Sequence, residues 1–115
     1  MSVTIYHNPR CSKSRRALEL IRERGVEPTI VEYLQQPPNA SELDEILNKL
    51  GLEPRALIRT GEADYEASGL AAPSLSREQL ILGLAAHPRL LERPIVVNGS
   101  RAVVGRPPEK VLELL

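Results

Sequence analysis

The chain has 115 residues, enough for one domain whose core needs no disulfide or metal staple. Hydrophobic residues make up 42% and charged residues 26%, and with three Tyr, no Phe and no Trp the core has to be aliphatic. Fifteen basic and fifteen acidic side chains cancel to a formal net charge of zero, which argues against nucleic acid or an anionic membrane as a partner.

Val3–Tyr6 is β-branched and aromatic and reads as a first strand. His7–Arg10 is a turn, because Asn-Pro resists simple continuation of the strand. A helix follows from Cys11 or Ser12, with Ala17, Leu18, Leu20 and Ile21 as its apolar stripe and Gly25 as its stop. Thr29–Tyr33 is a second strand, and the helix between the two implies a βαβ unit with parallel strands.

Pro37-Pro38 breaks the chain. Asn39 or Ser41 then caps a helix to about Leu50, and Gly51 ends it. Pro54–Arg59 and Asp64–Ser68 read as short helices. Ser76 with Gln79 makes a capping box for a helix through about His87. Ile95–Val97 and Arg101–Val104 are strands joined at Asn98-Gly99, a strong hairpin signal. A short helix closes the chain after Gly105 and two prolines. The expectation is an α/β mixed sheet, with a helical block from about 38 to 91 inserted between βαβ and ββα.

Cys11 is the only cysteine, so no intrachain disulfide forms and a disulfide-rich secreted scaffold is excluded. The longest apolar run, Leu80–Ala86, is far short of the ~20 residues that span a bilayer. His7, Asn8 and Arg10 interrupt the N-terminus before any signal-peptide core develops. A soluble cytoplasmic monomer without membrane contact is expected.

Cys11 opens the first helix, where unpaired backbone N–H groups and the helix dipole favour thiolate over thiol. Arg10, Lys13, Arg15 and Arg16 add positive charge nearby. The motif Cys11-Ser12-Lys13-Ser14 places a serine where dithiol redox proteins carry their second cysteine. A hydroxyl hydrogen-bonds a thiolate but does not attack a disulfide. Redox chemistry at Cys11 therefore needs an external thiol, such as glutathione or glutaredoxin. A phosphatase loop, Cys-x5-Arg, fails because Ala17 stands at the arginine position. His7, four residues before Cys11, is placed to hydrogen-bond the thiolate or lend it charge, or else to sit as a strand-end histidine. His87 reads as a helix C-terminal residue. Two histidines and one distant cysteine form no metal-ligand pattern, so no metal and no bound cofactor are expected.

The stretch Ile5-Tyr6-His7-Asn8-Pro9-Arg10-Cys11-Ser12-Lys13-Ser14-Arg15 resembles the signature of the glutaredoxin-coupled arsenate reductase family. Leu57-Ile58-Arg59, Leu91–Val97 and Ala102–Pro107 agree with it in order, and the likeness is to the family's short chromosomal branch. The resemblance implies a thioredoxin-like fold over residues 1–115 with the helical insertion. It implies Cys11 as the nucleophile toward arsenate and His7 as support for its low pKa. Arg59, Arg93 and Arg106 would bind the oxyanion. Glutathione would attack the adduct as co-substrate, and glutaredoxin would remove the glutathionyl group. Pro94 stands where thioredoxin-like folds place a cis-proline facing the active cysteine. A second reading is a thiol-regulated transcription factor of this fold that binds RNA polymerase, which Arg93-Pro94-Ile95 also resembles. Those regulators typically carry a Cys-x-x-Cys switch. A third is a glutathione-dependent reductase of another substrate.

Overall fold

The structure, a computed structural model, describes residues 2–115. Its elements run β1 (Val3–His7), α1 (Ser12–Glu23), β2 (Thr29–Glu32), α2 (Ala40–Leu50), α3 (Asp64–Ser68), α4 (Arg77–Ala86), β3 (Ile95–Asn98) and β4 (Arg101–Val104). Three 3-10 segments, Pro54–Leu57, Pro88–Leu90 and Pro108–Leu114, complete the order. The chain divides into two compact units, one of residues 1–36 with 93–115, the other of residues 37–92.

The first unit is built on a four-stranded sheet in the order β2-β1-β3-β4. β1 pairs parallel with β2, and β3 pairs antiparallel with both β1 and β4. This is the expected mixed sheet in a thioredoxin-like arrangement. Side chains alternate along a strand, so Val3, Ile5 and His7 turn inward together. Val3 and Ile5 join Ala17, Leu20 and Ile21 of α1, Val96 of β3, and Val111 and Leu114 in one aliphatic cluster. Gly99 takes the hairpin between β3 and β4 at φ 62°, in the left-handed region that only glycine enters readily.

The second unit is helical apart from one isolated bridge between Ile58 and Leu91. Asn39 and Ser76 cap α2 and α4 with reciprocal capping boxes that use Glu42 and Gln79. The Ser76 box is the one read from the sequence. For α2 the structure selects Asn39 over Ser41.

The structure fixes some local conformations that the sequence left open. Pro54–Leu57 and the last helical segment, Pro108–Leu114, are 3-10 rather than α. Both begin at a proline, and such short segments gain little from α-type bonding. The peptides before Pro94 and Pro107 are cis.

Gly105 sits where β4 ends, and its N–H donates to the Pro94 carbonyl at 2.8 Å. A Cβ there would meet Pro94 Cγ at 2.8 Å and Val111 Cγ1 at 3.2 Å. We expect Gly105→Ala to destabilise the protein by about 1–3 kcal/mol, the usual cost of overpacking, as measured by denaturant unfolding.

Candidate functional site: a cysteine at the first helix start

β1 delivers the chain to a three-residue turn, and that turn delivers Cys11. The Asn8 side chain accepts the Arg10 N–H at 3.0 Å, and the Asn8 carbonyl accepts the Cys11 N–H at 3.0 Å. Asn8 is itself buried, so the turn is anchored at its start. Cys11 then takes the N-cap position of α1 in extended geometry, and its carbonyl accepts the Arg15 N–H at 3.0 Å. Ser, Thr, Asp or Asn commonly fills such a position and accepts a helix N–H through oxygen. Here sulfur stands in that place. It closes no capping hydrogen bond of ordinary geometry, yet the amides of Ser14 and Lys13 still stabilise its thiolate.

Opposing effects set the acidity of Cys11. Partial burial pushes the thiol up. The Ser14 amide, a hydrogen bond from the Arg93 guanidinium, the Lys13 amide and the charge of Arg93 pull it down. The donors win, and Cys11 lies below the usual thiol value. The cysteine remains part-exposed, so an incoming reagent can reach it.

Arg93 lies directly before Pro94 and β3. It is half-buried, and Cys11 and the buried Tyr33 both interact with its guanidinium. Arg106 reaches back from beyond β4 and donates from Nε to the Arg93 carbonyl at 2.9 Å. The structure thus links Arg93 to Cys11 through its guanidinium and Arg106 to Arg93 through its main chain.

His7 is buried and lies 2.6 Å through Nδ1 from Ser14 Oγ, which also accepts the Asn8 N–H at 3.1 Å. Burial lowers the His7 pKa, with Arg22 and Arg15 lowering it further and Glu32 opposing them. His7 is therefore neutral at pH 7, and its Nδ1 partner is the serine. Ser14 is wholly buried and clasps the strand end, the turn and the first turn of α1 together.

A model of the ArsC family matches residues 6–114. The chain belongs to the ArsC family. It is 47% identical to an arsenate reductase of Haemophilus influenzae over all of both chains. It is 51% identical to an uncharacterised protein of Escherichia coli K12, across 98% of this chain and 96% of that one. An arsenate reductase structure from Vibrio cholerae superposes with a TM-score of 0.96 at 47% identity, covering 100% of this chain and 98% of that one.

The third arginine that the ArsC resemblance names, Arg59, lies in the second unit. There its Nε donates to Glu62 at 3.1 Å and its Nη1 to Glu92 at 3.1 Å. The Ile58–Leu91 bridge sets up this arrangement: Arg59 N–H donates to the Leu90 carbonyl and Glu92 N–H to the Leu57 carbonyl, both at 2.7 Å. Sequence reasoning missed Tyr33 beside Arg93 and the two carboxylates on Arg59. Glu62 stands only three residues after Arg59, a local spacing, whereas Tyr33 and Glu92 meet their arginines only through tertiary folding. Among the described residues no group of three His, Cys, Asp or Glu side chains gathers to hold a metal. Among the described residues no helix is long and apolar enough to cross a membrane.

Alkylation of Cys11, followed against pH, should reach half its maximal rate at lower pH in the folded protein than in the same chain unfolded in denaturant. Arg93→Ala should move that midpoint upward, because one hydrogen bond and one charge that favour the thiolate are removed.

Proposed function

We propose that this protein reduces arsenate to arsenite through Cys11, with glutathione and glutaredoxin as the thiol donors. The observation that carries the reading is the thiolate-stabilised Cys11 under the Arg93 guanidinium, with Arg106 tied to the Arg93 backbone. Arsenate is a multiply charged tetrahedral anion. Taking it out of water requires positive charge and fixed donors. A helix start alone offers about half a unit of charge. Arginine forks fit such oxygens two at a time, and Arg93 at the nucleophile, with Arg106 bonded to its main chain, supports this requirement. The relatives that carry the name arsenate reductase support the same substrate.

In this mechanism the Cys11 thiolate attacks arsenic(V), and an arsenic-bound oxygen leaves as water after protonation. Arg93 and Arg106 hold the remaining oxygens, with Arg59 as the third binding arginine that the family resemblance names. A glutathione thiol then attacks the adduct. Two thiols together supply two electrons and two protons, and arsenic(V) becomes arsenic(III). The balance is one arsenate and two thiols giving one arsenite, one disulfide and one water. Because the sequence holds a single cysteine, that disulfide joins Cys11 to glutathione, or joins two external thiols. Glutaredoxin removes the glutathionyl group and regenerates Cys11. Ser14 and neutral His7 hold the turn that presents the sulfur. The cytoplasm, where glutathione is reduced, is the compartment in which this cycle runs.

A coupled assay with arsenate, glutathione, glutaredoxin, glutathione reductase and NADPH tests the proposal. NADPH consumption should depend on arsenate and vanish in Cys11→Ser. Consumption that is independent of arsenate would overturn it. Arg93→Ala should lower turnover by about 10²–10³-fold, the scale of losing one oxyanion donor. Unchanged kcat/KM in a folded Arg93→Ala protein would remove that residue from the site.

A further inference from the structure

A cleft of about 170 Å³ lies at the carboxyl ends of β1 and β2, against the loop that leads to the nucleophile. One wall is the loop of Asn8, Pro9 and Arg10 that leads into Cys11. The other is Glu32 with Leu34 and Gln35, where the chain leaves β2. The parallel register sets His7 opposite Glu32, so the two walls start level. Carboxyl ends of parallel strands are where α/β sheets hold ligands.

Both walls are fixed by the backbone. Asn8 takes the Arg10 and Cys11 N–H groups on one side. The Glu32 carbonyl takes the Gln35 and Gln36 N–H groups on the other, each at 2.9 Å. The cleft carries one cation and one anion, Arg10 and Glu32, both exposed. Neither enters a salt bridge among the described residues, although exposed arginines elsewhere in this unit do, as Arg16 and Arg22 show. Leu34 adds an apolar surface that is 44% exposed.

The volume is below the roughly 300 Å³ at which sites for whole small ligands begin. It suits one amino-acid head. A zwitterionic head carries a carboxylate for Arg10, an ammonium for Glu32 and methylenes for Leu34. We propose that this cleft is the subsite for the α-amino-acid head of a γ-glutamyl thiol, whose sulfur thereby reaches Cys11. The inference rests on the reading that an external thiol resolves Cys11. It deepens that reading by naming the recognition site. The γ-glutamyl linkage places several single bonds between head and thiol, so the sulfur swings past Arg10 to its neighbour.

The test uses thiol–disulfide exchange at Cys11, which needs no arsenate. The Cys11 thiolate attacks a disulfide, one S–S bond breaks, a mixed disulfide forms, and the departing thiolate carries away the electron pair. Rates are measured by mass spectrometry with oxidised glutathione and with the neutral 2-hydroxyethyl disulfide. The neutral probe reports the intrinsic reactivity of Cys11, including any effect passed through His7. Glu32→Gln should slow oxidised glutathione about threefold relative to the neutral probe, in keeping with one exposed ion pair. Long-range electrostatics alone gives the opposite sign, because removing a negative charge favours an anionic reagent. A ratio that stays level or rises in Glu32→Gln overturns the subsite. The oxidised deamino analogue of glutathione, which lacks the ammonium, should not be slowed by Glu32→Gln, and an equal slowing of it also overturns the proposal. Leu34→Ala should depress the same ratio, and an unchanged ratio in that variant counts against the apolar contact. Glutathionylated glutaredoxin as the donor separates the two sources of the head: a Glu32→Gln defect there assigns it to a protein-borne glutathionyl arm, and a defect with oxidised glutathione alone to the free peptide. A chain that reduces arsenate yet shows no Glu32-dependent selectivity keeps the functional reading and loses the subsite. A chain that shows the selectivity without reducing arsenate does the reverse.

Discussion

The site depends on a contest at one sulfur atom. Burial makes the Cys11 thiolate costly, and without compensation a thiol in this position would be inert. Two helix-start amides and the Arg93 guanidinium reverse the balance. Each compensating group comes from a different constraint. The amides point at the sulfur because Cys11 occupies the N-cap of α1. Arg93 arrives because the chain returns to the sheet at Pro94 and pairs β3 antiparallel to β1. Chemistry and topology are therefore not separable here. A thiolate needs the cation, and the cation is next to the thiolate only in the folded sheet.

Around the sulfur, polar groups are tied to one another rather than to bulk water. Ser14 replaces the second thiol of a dithiol motif, and its hydroxyl is wholly buried against His7 and the Asn8 amide. A buried hydroxyl with partners on two sides stabilises a turn, whereas a buried unpaired one would weaken it. Burial, which works against the Cys11 thiolate, also favours neutral His7, and here nothing sufficient opposes it. Positive charge at the sulfur comes from Arg93, and His7 contributes shape and a hydrogen bond. Arg106 is restrained by a bond from its Nε to the Arg93 main-chain carbonyl.

Arg59 follows another design. In the helical unit it sits between Glu62 and Glu92, with side chains of all three groups 23–30% exposed. Ion pairs at that depth are stronger than fully exposed ones. Its orientation is set by an isolated bridge in which residues 58 and 91 face each other. An arginine held this way has already given up much of its side-chain freedom in the folded chain.

Much of the architecture was readable from residue order. β-branched runs, the helix stop at Gly25, the Ser76–Gln79 box and the Asn98-Gly99 turn are local signals, and each acts through its own few residues. The cysteine count alone required an external thiol for any disulfide cycle at Cys11. The placement of Cys11 at a helix start followed from the same local rules. What local rules do not reach is which distant groups meet. Arg93 reaches Cys11, Arg106 reaches the Arg93 backbone, and Tyr33 is buried beside Arg93 only after β3 has joined β1. The sign of the His7 shift depends on burial, a property of the packed molecule that spacing does not encode. Short-range conformational preference thus determined the elements and the nucleophile's position, and tertiary packing alone decided the electrostatic environment, because charges act on one another through space and not along the chain.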